Sequence, residues 1–514
     1  MSGAPVRSWR PLKAVLGGLV DVPSDLEVSD LTQDSRSVTP GSAFLACRGR
    51  RHHGVEFAPA AAAAGARAIL WEPAPGVLAP SVDASIVVRA VPNLHAQLGY
   101  IADRFFDAPS ASLTVAGITG TNGKTTCAWL LAQALERSGR RAAYIGTLGG
   151  GEIGALQDLG VTTPDAVSLH RLLAQLRAAG VGAVAMEVSS HALDQDRCAG
   201  VRFHTAVFTN LTRDHLDYHA DMSSYAAAKA RLLDWSTLAA RVINVDDLFG
   251  RELAQHAVRS ARAALLFQTS QHPPARLAHQ SDYVCAGAVR ATGAGLEIEI
   301  QSSRGAAVLS SPLIGDFNVD NLLSVLAVLL AWDMPLAAAC SALSQIAPPP
   351  GRMQPEGGGH CPLVLIDYAH TPDALAKALH AAREHCRGRL TVVFGCGGER
   401  DAGKRSEMGR VAAEGADELI VTDDNPRGED PQAIVAAIMQ GIQAAGASAR
   451  ARLIHDRARA ISSALEQASA GDVVLVAGKG HEPFQIVGRV RRAFDDASAV
   501  RAALALWRAP GRRA

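Results

Sequence analysis

The chain has 514 residues, of which 50 are Lys or Arg and 50 are Asp or Glu, so its formal net charge is zero. This balance argues against a dedicated nucleic-acid binder, and a hydrophobic content of 48% excludes wholesale disorder. At roughly 150 residues per domain, the length predicts about three domains. No apolar run reaches the roughly 18 residues of a membrane span, so we expect no membrane insertion and a cytoplasmic location.

The cysteines indicate whether the chain has a disulfide or zinc framework, and the lysines indicate candidate functional positions. The eight cysteines form no C-x-x-C pair, which favours free thiols over a disulfide or zinc framework. Only six of the 50 basic residues are lysines. In a chain this rich in Arg, Ala and Gly, a lysine that persists is a candidate for a role that arginine cannot fill. Four of the six, Lys124, Lys229, Lys404 and Lys479, lie in motif-like stretches.

The pattern of strands and helices predicts an α/β protein with three domains. Residues 1–108 alternate short apolar strands with an Ala-rich helical stretch and form a small α/β unit. Residues 109–347 predict a mostly parallel sheet with helices on both faces, and Val289–Ile300 predicts an antiparallel edge strand or hairpin. The Pro-rich break at Pro348–Gly351 opens a third, Rossmann-like α/β domain, residues 348–514.

A glycine-rich turn in the central domain predicts a phosphate site. Gly117–Thr126 follows a short buried strand and opens a helix, so backbone N–H groups and the helix N-terminus can hold phosphate oxygens. Lys124 would supply charge to the β- and γ-phosphates, and the Thr125 hydroxyl could bind Mg²⁺. Ile118 replaces the first glycine of the strict P-loop pattern, and a turn without ligand is the alternative. The expected ATP contacts are Gly120, Thr121, Asn122, Gly123, Lys124, Thr125 and Thr126.

Two further segments predict oxygen and nitrogen ligands close to this turn. Glu187 ends a buried strand, where ligands gather in parallel sheets, although a stray core glutamate is the alternative. Asn210–His219 follows another apolar strand and is dense in His and Asp. His215 is therefore a candidate metal or phosphate ligand, whereas His219 could be a surface histidine.

These motifs, in this order, resemble those of the Mur ligases of bacterial cell-wall synthesis. The resemblance rests on Thr119–Thr125, Glu187–His191 and Asn210–His219, and on four further stretches: Leu313–Asn321, Gly351–Met353, Asp367–Asp373 and Asp424–Arg427. It also covers Asp34–Arg36 and Thr162–Asp165, so it extends along the whole chain.

The resemblance implies an ATP-dependent ligase of peptidoglycan precursor synthesis. It is closest to the members that add meso-2,6-diaminopimelate to the D-glutamate of UDP-N-acetylmuramoyl-L-alanyl-D-glutamate through an acyl phosphate. It implies a UDP-binding N-terminal domain, a P-loop-type ATPase domain, a C-terminal amino-acid-binding domain and a monomer. Two Mg²⁺ ions would be held by Thr125, Glu187, His215 and a CO2-derived carbamate on Lys229, and Lys124 would complete the catalytic group. Without the resemblance, the Ala-rich helix around Lys229 predicts a solvated surface lysine.

The resemblance also implies substrate contacts. Asn318 would contact adenine, and Arg352 and Asp367 would contact phosphate and ribose; domain closure would exclude water from the acyl phosphate. Val161 and Gln33 depart from the family pattern. The expected contacts to the UDP-linked substrate are Ser35, Arg50, Arg51, His52, Thr162, Thr163, Ser189, Gln195 and Arg197.

The third domain would hold diaminopimelate. Arg427 can grip a carboxylate through two parallel N–H bonds, although Asp-Asn-Pro-Arg is also a good turn sequence. Arg400 would hold the other carboxylate, and Glu482 would pair with the distal ammonium with help from the Gly478 carbonyl. Asp424, Asn425 and Pro426 complete the set.

Three alternatives remain open at this stage. A related ligase that adds D-alanyl-D-alanine or glutamate should lack Asp424–Arg427, and a lysine-adding relative should lack Arg427. An ATPase without a ligase product would leave Lys229, Arg427 and Glu482 without a role.

Overall fold

The computed structural model describes residues 9–49, 52–215, 218–260, 264–268, 282–292 and 295–509. The chain divides into two compact units. The first contains Met1–Gln268, His272–Tyr283 and Ala327–Met334; the second contains Thr269–Gln271, Val284–Leu326 and Pro335–Ala514. The predicted limits of the three domains, 1–108, 109–347 and 348–514, stay a prediction.

The first unit begins with a small parallel sheet. Its strands lie in the order Asp30–Thr32, Ser42–Ala46, Ala68–Trp71 and Val87–Ala90. The apolar strand Ser42–Ala46 is buried along its whole length, as expected for an inner strand covered on both faces. The helices here are Leu12–Leu16, Ala58–Ala63 and Leu94–Phe105, with 3₁₀ turns at Ser35–Ser37, Gly54–Phe57 and Pro109–Ser112 and a short antiparallel pair, Arg10–Pro11 with Glu27–Val28.

A larger sheet follows in the same unit, and Thr114–Thr119 lies inside it. The strand order is Ala264–Gln268, Ala240–Asn244, Phe203–Phe208, Thr114–Thr119, Ala183–Glu187, Ala142–Gly146 and Gly149–Gly151, and every pairing is parallel except the last. Since parallel strands end at the same edge, the polar residues after Thr119, Glu187 and Phe208 are brought together. The helices are Lys124–Arg137, Ala166–Ala178, Ser190–Asp194, Met222–Leu233 and Leu248–Arg259.

The predicted hairpin around Val289–Ile300 is confirmed and is extended by a third strand. Asp282–Thr292, Gly295–Ser302 and Gly305–Ser311 pair antiparallel in chain order. Along Gly295–Ser302 the residues Leu296, Ile298 and Ile300 are buried and alternate with more exposed neighbours, which is the period-two pattern of a sheet with one covered face. The helices Phe317–Ala331 and Leu336–Leu343 come next.

The second unit also contains an open parallel sheet. Its strands lie in the order Gln354–Gly357, Leu363–Asp367, Val473–Ala477, Leu390–Phe394, Glu418–Val421 and Ala451–Leu453, and only the first is antiparallel. The helices are Pro372–Glu384, Lys404–Gly415, Pro431–Ala444, Arg457–Gln467 and Asp496–Leu506, and Phe484–Val487 pairs with Val490–Ala493 in a hairpin. The predicted α/β class is confirmed.

The state of the cysteines and the length of the apolar helices were both predicted from the sequence. All eight cysteines are free, as predicted. Within the described ranges, no helix combines the length and apolar character that a bilayer crossing requires.

Candidate active site

The glycine loop, Gly120–Lys124, connects the inner strand Thr114–Thr119 to the helix that begins at Lys124. Gly120 has φ 151°, and a Cβ there would lie 1.9 Å from Thr209 Oγ1, so only glycine fits. Asn210 holds the loop from the neighbouring strand end: its Oδ1 accepts from Asn122 N at 2.9 Å, and its carbonyl accepts from Thr121 N at 2.9 Å. The loop is thus fixed by a segment that the sequence singled out separately.

Two lysines converge on one carbonyl of the glycine loop. Lys124 Nζ donates to Gly120 O and to Thr121 O, each at 2.8 Å. Lys229 Nζ donates to the same Gly120 O at 2.7 Å. The structure therefore places these two predicted catalytic lysines side by side, although they are far apart in the sequence.

Lys229 is buried, with 1% of its surface exposed, and is not the solvated lysine that its Ala-rich helix suggests. Its Nζ lies 4.4 Å from the centre of the Tyr225 ring. Burial lowers the pKa of Lys229 well below its ordinary value, and repulsion from Lys124 lowers it further, while Asp214 opposes the shift. The amine is accordingly biased toward the neutral form, which is the form that reacts with CO2.

Glu187 is 1% exposed and fully hydrogen-bonded. Thr125 Oγ1 donates to its Oε2 at 2.9 Å, and Thr147 N donates to its Oε1 at 2.9 Å. The Tyr144 hydroxyl also donates to Oε1. The predicted Thr125–Glu187 proximity is therefore present. Sequence reasoning missed Tyr144 and Thr147; their position at the end of the strand beside Ala183–Glu187 was the available signal.

His215 lies in a cluster of rings and has a left-handed backbone, with φ 53°. Its ring centre is 4.9 Å from that of His191 and 6.1 Å from that of Tyr225. His219, which the sequence left open as a surface residue, is buried and pairs with Ser190 Oγ at 3.0 Å. Tyr225 also bonds Thr121 Oγ1 at 3.1 Å, which links the cluster to the glycine loop.

Four predicted contacts of the UDP-linked substrate form a connected network. Arg197 Nη1 donates to Thr163 O at 3.0 Å, and its Nη2 donates to Gln195 Oε1 at 2.6 Å. The buried Thr163 hydroxyl donates to Glu187 O at 2.9 Å and accepts from Ser189 N at 3.2 Å. This network ties the predicted substrate residues to the backbone of Glu187. Thr162 joins it through Thr147, at 3.1 Å between the hydroxyls.

Two of the remaining predicted contacts of this group, Ser35 and His52, lie in connections between strands of the small N-terminal sheet. Ser35 begins the 3₁₀ turn that Asp34 caps. His52 pairs with Glu56 at 3.0 Å and lines a cavity of about 360 Å³. Arg50 and Arg51 lie outside the described residues. The cavity is lined by Arg48, Gly49, His52, His53, Ala74, Pro75 and Val77.

In the second unit, the three residues predicted to contact nucleotide lie in different settings. Asn318 is buried, and its Nδ2 donates to Ile314 O at 2.7 Å. The Arg352 guanidinium lies 4.8 Å from the centre of the Tyr368 ring. Asp367 Oδ2 accepts from Met353 N at 2.8 Å; burial raises the pKa of Asp367, and Arg352 opposes that rise.

The second-unit pocket, defined by Arg400, Asp424–Arg427, Gly478 and Glu482, combines both signs of charge. Gly478 has φ 117°, and a Cβ there would lie 2.7 Å from Asp424 Oδ2. Glu482 Oε2 accepts from Asn425 Nδ2 at 2.7 Å. Within the described residues, the Asp424 carboxylate and Glu482 Oε1 accept no hydrogen bond. Burial raises the pKa of Asp424, which Arg457 and Lys479 counteract.

The two arginines of this pocket, Arg400 and Arg427, use only part of their hydrogen-bonding capacity on acceptors among the described residues. Arg427 has φ 52°, and its backbone N–H donates to Ile486 O at 3.0 Å. Its Nη1 donates to Gly398 O at 2.7 Å, while its Nε and Nη2 have no acceptor in the described part of the chain. Arg400 is exposed and makes no hydrogen bond to a described residue. Pro426 is buried beneath Gly398, where a Cβ would meet Pro426 O at 1.9 Å.

Three protein-family descriptions match consecutive parts of the chain. Residues 27–106 match "Mur ligase family, catalytic domain", residues 118–329 match "Mur ligase middle domain", and residues 351–480 match "Mur ligase, glutamate ligase domain". Together these matches cover more than half of the 514 residues.

Named relatives extend the match to nearly the whole chain. A UDP-N-acetylmuramoyl-L-alanyl-D-glutamate–2,6-diaminopimelate ligase of Xanthomonas campestris pv. campestris is 50% identical over 488 residues, which is 93% of this chain and 94% of that protein. The protein of the same name from Pseudomonas aeruginosa is 46% identical, over 95% of this chain and 97% of that one.

Solved structures give the same result. A structure of a UDP-N-acetylmuramoyl-L-alanyl-D-glutamate–2,6-diaminopimelate ligase has a TM-score of 0.72 at 34% identity and covers 97% of this chain and 99% of that chain. A MurF ligase from Thermotoga maritima in complex with ADP has a TM-score of 0.61 at 18% identity, over 93% of this chain and 96% of that one, which shows the fold alone. The prediction from the motifs is confirmed: the chain belongs to the Mur ligase family.

Proposed function

We propose that this chain is the ATP-dependent ligase that adds meso-2,6-diaminopimelate to the D-glutamate of UDP-N-acetylmuramoyl-L-alanyl-D-glutamate. Relatives that are 46–50% identical over more than nine tenths of the chain carry that name. ATP would phosphorylate the glutamate side-chain carboxylate, and an amine of diaminopimelate would displace the phosphate to form the amide. The product belongs to peptidoglycan precursor synthesis.

The observation that carries the substrate assignment is the charge pattern of the second-unit pocket. Arg427 keeps Nε and Nη2 without a protein acceptor, and Glu482 keeps Oε1 without a donor, among the described residues. The distal end of meso-diaminopimelate has one carboxylate and one ammonium, which match these two groups. Lysine has only the ammonium, so binding it would leave Arg427 unpaired at a desolvation cost.

The glycine loop supplies the phosphate chemistry in this proposal. Its backbone N–H groups and the N-terminus of the helix at Lys124 attract phosphate oxygens. Lys124 Nζ bonds Gly120 O and Thr121 O, and in the proposed reaction it moves from these carbonyls to the β- and γ-phosphates. Charge that builds on the transferred phosphoryl oxygens would then be stabilised by a preorganised cation.

The side chains beside this loop suit Mg²⁺. Thr125 Oγ1 and Glu187 Oε2 lie 2.9 Å apart and are the hard oxygen donors that Mg²⁺ prefers. A carbamate on Lys229 would add a third, and its formation fits the buried amine of lowered pKa. His215 would complete the set. Bound Mg²⁺ would neutralise phosphate charge. The Lys229 carbamate and the Glu187 carboxylate would hold the ion, and Tyr144 and Thr147 orient Glu187 through their hydrogen bonds.

The test is product formation. The chain is incubated with ATP, Mg²⁺ and UDP-N-acetylmuramoyl-L-alanyl-D-glutamate, with meso-diaminopimelate, L-lysine or D-alanyl-D-alanine in parallel. Phosphate release and the mass of a new amide are measured. We expect an amide with diaminopimelate only. An amide with lysine instead would keep the family and reject the pocket assignment, and phosphate release without any amide would favour an ATPase.

The predictions of a monomer and of a cytoplasmic location belong to this proposal.

A further inference from the structure

A buried lysine lies directly behind the second-unit pocket. Lys479 has 0% of its surface exposed and follows the strand Val473–Ala477. Its Nζ donates to Asn425 Oδ1 at 3.1 Å and to Glu482 Oε2 at 3.0 Å. A wholly buried ammonium is costly unless it is paired and hydrogen-bonded, so this contact is a defined part of the fold and not an incidental surface pair.

Asn425 closes a triangle with this lysine and with Glu482. Its Nδ2 donates to Glu482 Oε2 at 2.7 Å, while its Oδ1 also accepts from Ile486 N at 2.9 Å. Glu482 Oε2 therefore receives two donors, and Oε1 receives none from the described residues. Because two hydrogen bonds hold Oε2 in place, the position of Oε1 in the same carboxylate is fixed as well.

The charges around the triangle show why a cation is needed. The nearby acids are Asp424, Glu482 and Asp496, and the nearby buried cations are Lys479 and Arg457. Arg457 is committed to Asp496 by two bonds, at 2.7 and 2.8 Å. Lys479 is thus the cation that pairs with Glu482, and both Lys479 and Arg457 oppose the raised pKa of Asp424. Without Lys479, Glu482 and the buried Asp424 would repel each other with one fewer cation to offset the repulsion.

We infer that Lys479 is a positioning residue for diaminopimelate: it fixes Glu482 Oε2 and Asn425, so that Glu482 Oε1 remains directed at the distal ammonium of the amino acid. This inference rests on the proposed function and deepens it. Lys479 does not touch the substrate; it acts through Glu482. A lysine suits the position because a single compact ammonium can donate to both Asn425 Oδ1 and Glu482 Oε2, whereas a planar guanidinium needs more room.

The experiment compares K479M with wild type in the amide-forming assay. Removing one of the two donors to Glu482 Oε2 and one of the two donors to Asn425 Oδ1 should raise KM for diaminopimelate on the order of 10- to 100-fold. KM for ATP and for the UDP-linked substrate should change less than about threefold, within the spread of substitutions away from a site. K479R should recover part of the loss. The matched control is K377M, which removes an exposed lysine paired with Asp373.

A double-mutant cycle separates positioning from a general effect on the fold. If Lys479 acts through Glu482, K479M should add little to the KM of E482Q for diaminopimelate. Fully additive effects would overturn the inference, as would a K479M enzyme that keeps the wild-type KM. Equal losses for all three substrates with a lowered Tm would assign Lys479 a purely structural role and also overturn it. Failure of the wild type to form the amide at all would instead reject the proposed function.

Discussion

The glycine loop and the second-unit pocket differ in how their charged groups are used within the described residues. At the glycine loop, Lys124 and Lys229 both bond the carbonyl of Gly120, and Glu187 accepts several donors. In the second-unit pocket, Arg427 and Glu482 each use only part of their hydrogen-bonding capacity. The charged groups at the glycine loop are hydrogen-bonded within the protein. The second-unit pocket retains donor and acceptor atoms that make no hydrogen bond to a described residue.

This difference follows from what each site would bind. A triphosphate brings several negative charges and can draw Lys124 away from the carbonyl oxygens, since an ammonium is attracted more strongly by a charged phosphate oxygen than by an uncharged carbonyl oxygen. The distal end of diaminopimelate brings only one carboxylate and one ammonium and gains less from rearrangement. Its pocket is therefore better preformed, because unused donors and acceptors cost less when they remain partly solvated.

The largest effect is expected at the glycine loop. K124A should lower turnover by about 100- to 1,000-fold, because it removes a preorganised cation from the phosphoryl group. Binding of the UDP-linked substrate, measured by calorimetry, should persist. The exposed Lys13, which pairs with Asp21, offers the matched control K13A, and it should retain wild-type turnover. Near-normal turnover of K124A would remove Lys124 from the phosphate site.

An intermediate effect is expected in the second-unit pocket. R427A should raise KM for diaminopimelate by about 100-fold, because the ligand carboxylate would lose a charge-assisted partner. ATP affinity should be kept, in contrast to K124A. The control is R492A, which removes an exposed arginine of the nearby hairpin Phe484–Ala493. A KM unchanged in R427A would show that the available N–H groups of Arg427 do not bind the substrate.

The smallest effect, a partial and reversible loss, is expected when CO2 is removed. The pKa of Lys229 is lowered by burial and by Lys124, so its amine stays neutral to a lower pH than an exposed lysine. A carbamate forms from the neutral amine; it should therefore persist at neutral pH and be lost as the pH falls through the lowered pKa. In CO2-free buffer we expect lower activity and a higher Mg²⁺ concentration for half-maximal activity, and bicarbonate should reverse both changes. With ¹³C-labelled CO2 we expect a carbamate signal in the NMR spectrum. Absence of that signal in active enzyme would reject the carbamate.

Neighbouring residues in the sequence were predicted better than partners from distant segments. The strand-turn-helix pattern indicated the glycine loop, and Asp424–Arg427 indicated a binding turn. The partners of Glu187 were missed, because Tyr144 and Thr147 belong to another strand and become neighbours only through the sheet order. Lys479 was noticed as a rare lysine, yet its contacts with Asn425 and Glu482 depend on packing that no local pattern encodes.

The sequence by itself determined the α/β class, the order of strands and helices and the family, since periodicity, turn chemistry and motifs are local properties of the chain. Only the tertiary structure decided which groups lie buried and which oxygen or nitrogen atoms remain available. Lys229 illustrates the difference: its helix predicts a solvated side chain, but packing beneath Gly120 buries it and lowers its pKa. Burial and charge pairing depend on neighbours from distant segments, and these are set when the sheets assemble.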